Sequence, residues 1–143
     1  MRISVEEVYE TVRMTLDHHF DIRTVTLGIN LKDCIDRDIA PLTQRVHERI
    51  VEKGQLLNRC ADQIVQKYGI PITNRRVAVT PASLLLEPLP KTKATVVRFA
   101  KALDAAARKA DIDFLGGFGA MVQKGTTAAE ENLIDAIPEA LSK

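Results

Sequence analysis

Three short runs of strand-forming residues, separated from one another by stretches of helical periodicity, constrain this chain more than any other feature. The first, Arg23-Thr24-Val25-Thr26-Leu27-Gly28-Ile29, alternates so that Val25, Leu27 and Ile29 share one face. The second is Arg76-Val77-Ala78-Val79-Thr80, closed by Pro81, and the third is Ile112 to Leu115, which runs into Gly116-Gly117-Phe118-Gly119. Strands joined through a helix are expected to lie parallel, connected by right-handed crossovers, with helices covering the sheet. The expected fold class is therefore α/β, a parallel sheet with helical crossovers.

The helices carry their own punctuation. Ser4 and Glu7 make a capping box ahead of Val5, Val8, Val12, Leu16 and Phe20. Asp38 or Ala40 caps a second helix with Pro41 in its first turn, and Val46, Ile50, Leu57, Cys60 and Ile64 carry its stripe to Gly69. Over residues 39 to 68 that helix reaches about 45 Å, with Gly54 the expected bend. A loop follows the second strand through Ser83, Pro88 and Pro90. Val96, Phe99, Ala100, Leu103, Ala106 and Ala107 then mark a third helix ending near Asp111. Thr127 with Glu130 forms another capping box before Leu133, Ile134 and Ile137, and Pro138 is expected to end or kink this last helix.

Three strands make an incomplete parallel sheet, because such sheets need both faces covered and usually hold more strands. A further segment or a second subunit is expected to supply them. A length of 143 residues fits one domain, 1–143, either self-contained or the amino-terminal part of a larger α/β protein.

Composition narrows the partners. Twenty basic against nineteen acidic side chains leave a charge of +1, and only 4% of residues are aromatic, so neither nucleic acid nor an anionic membrane is an expected partner. The opening Met1-Arg2-Ile3-Ser4-Val5-Glu6-Glu7 lacks the apolar stretch of a signal peptide, and no segment has the apolar length of a membrane span, so a cytoplasmic location is expected. Cys34 and Cys60 form no CxxC pair and fit reduced thiols. His18 and His19 fit a helix end and His47 a charged helix, and no spacing points to a metal site. Arg45, Arg49 and Arg59, with Arg75 and Arg76, fit solvated ion pairs.

In parallel α/β sheets ligands bind beyond the carboxyl ends of the strands. Asn30-Leu31-Lys32-Asp33-Cys34-Ile35-Asp36-Arg37 gathers carboxylates, a thiol and basic groups at the first such end. Near Lys32 and Arg37 the Cys34 thiol is a candidate nucleophile with a lowered pKa, or a small buried hydrophobe. Asp33 and Asp36 are candidates for a ligand amine or metal, or act as turn and cap residues. Thr80 and Ser83 offer hydroxyls at the second end. At the third, Gly116, Gly117 and Gly119, followed by Gln123, Lys124 and Thr126, either cradle an anion or allow tight packing. These glycines lack the third glycine of the dinucleotide fingerprint, and Lys124-Gly125-Thr126 reverses the P-loop order, so no cofactor is indicated.

Five strings, Phe20-Asp21-Ile22-Arg23-Thr24-Val25-Thr26-Leu27-Gly28-Ile29, Asp33-Cys34-Ile35-Asp36, Gly69-Ile70-Pro71-Ile72-Thr73-Asn74-Arg75-Arg76-Val77, Asp113-Phe114-Leu115-Gly116-Gly117-Phe118 and Val122-Gln123-Lys124-Gly125, together resemble the amino-terminal part of the uncharacterised pyruvate formate-lyase-like family of bacteria and archaea. The likeness covers essentially the whole chain. It implies a longer protein whose fold is grouped with the α/β barrel of glycyl radical enzymes, and it implies no reaction. Neither the radical glycine nor the loop cysteine of that chemistry is assigned here, and Cys34 is not carried over as that cysteine. The resulting expectation is half of a small polar metabolite site of an enzyme, lined by Asp33, Cys34, Asp36, Thr80, Ser83 and the Gly116 to Gly119 loop, with Lys124 or Arg76 meeting an anionic group. The alternative is a non-catalytic metabolite-sensing or assembly module. On that reading the long helix packs on a second copy, and on either the partners are the rest of a family-length chain, a second polypeptide or a homo-oligomer.

Overall fold

The computed structural model describes residues 4–17 and 21–142. The elements are α1 (Val5–Leu16), β1 (Ile22–Ile29), a single 3-10 turn at Lys32–Cys34, α2 (Ile39–Tyr68), β2 (Ile72–Val79), α3 (Ala82–Leu86), α4 (Lys93–Ala110), β3 (Phe114–Gly116) and α5 (Ala128–Leu141). The strands pair in the order β1-β2-β3, both pairs parallel. Fold class and helical connections are thus those expected. His18, His19 and Phe20 lie outside the described residues.

The punctuation holds in detail. Ser4 Oγ accepts the Glu7 N–H at 3.1 Å while Glu7 accepts the Ser4 N–H at 2.7 Å, completing the first capping box. Asp38, rather than Ala40, caps α2 by accepting the Ala40 N–H at 3.0 Å, and Gly69 closes it with φ of 70°.

One face of the sheet carries the core. α2 packs on β1 and β2, α4 packs on β3, and the two helices pack on each other. Leu42, Val46 and Ile50 from α2 and Val96, Phe99 and Leu103 from α4 are buried with Ile29, Val77 and Val79 of the strands, and α5 closes the far side with Leu133 and Ala136. Dispersion and burial at this layer hold the domain, at roughly 25 cal/mol per Å² of apolar surface removed from water.

Several local expectations are corrected or refined, among them the buried stripe of α2, which excludes Cys60 and Ile64 because both are exposed beyond the reach of the sheet and α4. Gly54 does not interrupt α2: the helix is continuous through it, and the glycine is buried where a Cβ would stand 2.8 Å from Ala110 Cβ. Pro138 does not end α5, which runs on to Leu141; buried Leu133 and Ala136 anchor the helix before the hydrogen bond that proline forfeits. The stretch expected as loop through Ser83 begins with α3, because Ala82, Leu85 and Leu86 gain burial by turning helical. β2 starts at Ile72, four residues before the expected Arg76, since pairing of Ile22 with Ile72 and Thr24 with Asn74 recruits a polar segment whose own pattern is weak. β3 starts at Phe114 because Asp113 instead accepts the Arg75 N–H on its carboxylate at 2.7 Å.

Two surfaces stay uncovered. Val5, Val8, Val12 and Leu16 of α1 are all exposed, so the apolar stripe of that helix has no partner among the described residues. The second face of the sheet is the other. Alternation and register put Thr24, Thr26 and Gly28 of β1, Asn74, Arg76 and Ala78 of β2, and Phe114 and Gly116 of β3 on the side away from α2 and α4.

Substituting Gly54 tests the α2–α4 contact. At a solvent-facing site Gly54→Ala would stabilise a helix by about 1 kcal/mol. Here the added methyl group meets Ala110 Cβ at 2.8 Å and Ile112 Cγ2 at 3.3 Å. A net loss of about 1–3 kcal/mol is expected, read as a lower urea midpoint with unchanged slope. A gain in stability would mean that the helices separate without cost at this point.

Candidate functional site

The three strand-end loops form one crest. Thr80 Oγ1 accepts the Leu31 N–H at 2.9 Å and lies 3.4 Å from Asn30 Oδ1, and the Thr80 N–H reaches Ile29 O at 3.3 Å. This binds the first loop to the second. The Ala82 N–H donates to Gly117 O at 2.8 Å and the Ser83 N–H to Gly119 O at 3.3 Å, which binds the second to the third. Gly117 makes that closure possible: its φ is 114°, and a Cβ there would stand 2.5 Å from Val79 O. Gly116 lies just below, in register with Ala78, which pairs with Gly28 on its other side.

Asp33, Cys34 and Asp36 turn away from the crest. They face α2, where Arg49 Nη2 donates to Asp33 Oδ2 at 2.8 Å and Arg45 pairs with Asp36. Asp33, Cys34, Arg45, Glu48, Arg49 and Glu52 line a charged cleft of about 270 Å³ that includes neither Thr80 nor the glycines. The sequence-predicted site thus divides into a crest and a cleft. Lys124 stands exposed in the turn closed by the Gln123–Gly125 bridge. Ser83 is buried at 1% exposure, and its Oγ has no hydrogen-bond partner.

The electrostatics of the cleft follow from these pairings. The Arg49 guanidinium holds the Asp33 carboxyl below its usual range. The Asp38 N–H, seconded by Arg45, does the same for Asp36. Cys34 moves the other way. Burial, reinforced by the Asp33 charge, pushes its thiol up, and Sγ lies 3.7 Å from Asp33 Oδ1 as a hydrogen-bond donor. The lowered pKa expected from Lys32 and Arg37 is reversed, because desolvation of a side chain in the core outweighs exposed charges in water.

One buried carboxylate escapes a reading of the sequence. Glu130 was recognisable as the second half of a capping box, accepting the Thr127 N–H at 2.8 Å. Its other oxygen accepts the Met121 N–H at 3.0 Å and so ties the glycine loop to α5. These backbone donors hold its carboxyl below the ordinary value of 4.5. No pattern signals that second bond, because Met121 is fixed by the loop's path rather than by helix spacing.

The other arginines divide unequally. Arg75 pairs with Asp62, as Arg45 and Arg49 do with their aspartates. Arg76 has no ion pair among the described residues; its guanidinium sits 5.7 Å from the centre of the Phe114 ring on the open sheet face. A groove of about 610 Å³, lined by Leu103, Ile112, Leu115 and Phe118 together with charged Lys101, Asp104, Arg108 and Asp113, runs on the helix side of β3. No group of three or more His, Cys, Asp or Glu among the described residues is arranged to hold a metal ion. No helix among them is long and apolar enough to cross a membrane.

A parallel α/β sheet with hydrogen-bonded loops at its carboxyl ends and one bare face defines the class of protein. Within that class the chain belongs to the family described as Uncharacterised ACR (DUF711), matched over residues 13–143. It is similar to UPF0210 proteins of Thermoanaerobacter sp. (strain X514), at 42% identity over 142 residues, and of Streptococcus thermophilus, at 45% over 141 residues. A UPF0210 protein of Oenococcus oeni is 44% identical over 140 residues. These alignments cover 98–99% of this chain and 31% of each relative, so the chain spans about a third of the length of the curated relatives it matches.

Two measurements check the site. Native labelling with maleimide is expected to modify exposed Cys60 and spare buried Cys34, giving one mass increment before denaturation and two after. Fast modification of Cys34 in the folded chain would restore it as a nucleophile. For Glu130, a carboxyl held below its ordinary value stabilises the fold above that value and loses the contribution as pH falls through the folded one. Acid unfolding is therefore expected to show a component below pH 4.5. Glu130→Gln is expected to lack it and to be less stable at neutral pH, since one amide oxygen replaces two acceptors.

Proposed function

We propose that this chain forms one wall of an enzyme's site for a small polar metabolite, closed by further polypeptide of the kind its relatives carry. The completed sheet would curl into a barrel of the pyruvate formate-lyase-like type. One observation carries the reading: the hydrogen-bonded crest stands over a sheet face that no described helix covers. A parallel sheet is covered on both faces in a finished protein. Most residues on this face, Thr24, Thr26, Gly28, Asn74, Arg76, Ala78 and Gly116, are too polar or too small to fill an apolar layer, and the apolar ones, Ile22, Ile72 and Phe114, are too few to do so. Covering them encloses a cavity lined by polar groups, which is the form of a metabolite site.

A second reading, assembly without catalysis, is favoured by the exposed stripes of α1 and of α2, where Leu56, Ile64 and Tyr68 face outward. It accounts for those helices and leaves the polar sheet face without a role.

Accessibility separates a cavity from a packed interface. In a Cys60→Ser background, Thr26→Cys is expected to react with both a small methanethiosulfonate and a bulky polymer-linked maleimide in the 143-residue chain. In a polypeptide of the relatives' full length, only the small reagent is expected to react. Protection from both would mean dry packing, and reaction with both would mean an open surface; either result removes the metabolite-site reading.

A further inference from the structure

We infer that Arg76 is the anchor for an anionic group, a carboxylate or phosphate, of a small ligand lying on the open sheet face. The inference rests on the reading that this face becomes one wall of a cavity. Among the strand residues on that face, Arg76 carries the only charge. A guanidinium enclosed beside a sheet without a counter-charge is strongly disfavoured, because desolvation removes its hydration and nothing replaces it. Arg45, Arg49 and Arg75 each hold a carboxylate; Arg76, like Arg23, Arg37, Arg59 and Arg98, holds none among the described residues, and of these it is the one placed by strand alternation on the bare face. The charge that completes it comes from outside the described residues, and a ligand filling the cavity supplies it in the arrangement we infer.

The surroundings set the size and pose of the ligand. Phe114, in register with Arg76, offers its ring at 5.7 Å, which positions the guanidinium by cation–π attraction and leaves its N–H fork free. Thr26 is the register partner on the other side and adds a hydroxyl within reach of a bound oxyanion. Asn74, the next residue of β2 on this face, is already engaged, donating to Arg23 O at 2.8 Å. That bond uses one of its two N–H groups and holds the amide in place, so ligand growth in this direction runs into an occupied row. In the other direction the row Gly28, Ala78 and Gly116 crosses all three strands without a large side chain. Two strand residues span about 6.6 Å, so a ligand held at Arg76 that extends its body over this row has roughly the length of a three- to five-carbon skeleton with its end groups, and the crest at Thr80 stands about 6.6 Å further on.

The test is an NMR titration of the chain with inorganic phosphate and, separately, acetate, at ionic strength matched with sodium chloride. Saturable shifts are expected at Arg76 Nε–Hε and at the amides of Thr26, Ala78 and Gly116. Arg76→Gln is expected to abolish them, and Arg76→Lys to weaken binding roughly tenfold or more, since an ammonium lacks the planar two-pronged fork. Shifts that never saturate, that persist in Arg76→Gln, or that centre on Lys124 would overturn the assignment. So would an Arg76 signal in the full-length polypeptide that no anion moves while Thr26→Cys there still reacts with the small reagent. That result would give Arg76 to a carboxylate of the covering polypeptide and leave the cavity reading standing. Loss of small-reagent access would instead remove the cavity itself.

Discussion

Coverage of the sheet on a single face governs the rest of this structure. α2 and α4 bury one side of three parallel strands in an apolar layer, which α3 and α5 extend into the core. The opposite side has small and polar residues because a different requirement acts on it. Apolar side chains on both faces would have read as continuous runs of Val, Ile and Leu. The threonines of β1 and the Asn74-Arg76 pattern of β2 depart from that rule in the same direction and on the same face.

The crest is held differently from the core. Its bonds run from backbone to backbone or through one hydroxyl, Thr80, and the closest approach, Gly117 against Val79 O, leaves no room for a side chain. Such a ledge is rigid without being chemically reactive. The titratable groups of the same loops, Asp33 and Asp36, are spent on Arg49 and Arg45 and thereby fasten the first loop to α2. Buried Cys34 belongs to the same anchorage. Positioning in this part of the molecule comes from the cleft, and access comes from the crest and the open face.

Much of this was legible from residue order, and the limits were physical. Helix ends were readable because caps act within four residues: Ser4 with Glu7, Asp38 with Ala40, Thr127 with Glu130 and Gly69 at φ of 70° all follow local rules. Parallel pairing was readable from connection lengths. The start of β2 was not, because Thr73, Asn74 and Arg75 become strand only when β1 supplies partners. The packing role of Gly54 was not readable, because a glycine needed for close helix approach and one that bends a helix look identical in a single sequence. The candidate site was half legible: proximity along the chain grouped Asp33, Cys34 and Asp36 with the crest, whereas the 3-10 turn at Lys32–Cys34 directs them to α2.

The uncovered surfaces are not independent of one another. The bare sheet face, the free edge of β3 with its groove and the exposed stripe of α1 each lack a layer that α/β packing normally supplies, and relatives about three times as long have the polypeptide to supply it. An assembly of identical copies would cover α1 and the outer stripe of α2 by apolar contact, yet apolar contact gives the polar sheet face no role. The ligand-bearing cavity we propose would satisfy the arginine and the polar strands together, and the apolar stripes would then seat the layer that closes it. The distribution of charge favours the cavity we propose: Arg45, Arg49 and Arg75 are fixed to aspartates and fasten the scaffold, whereas Arg76 on the bare face meets no carboxylate of the described residues.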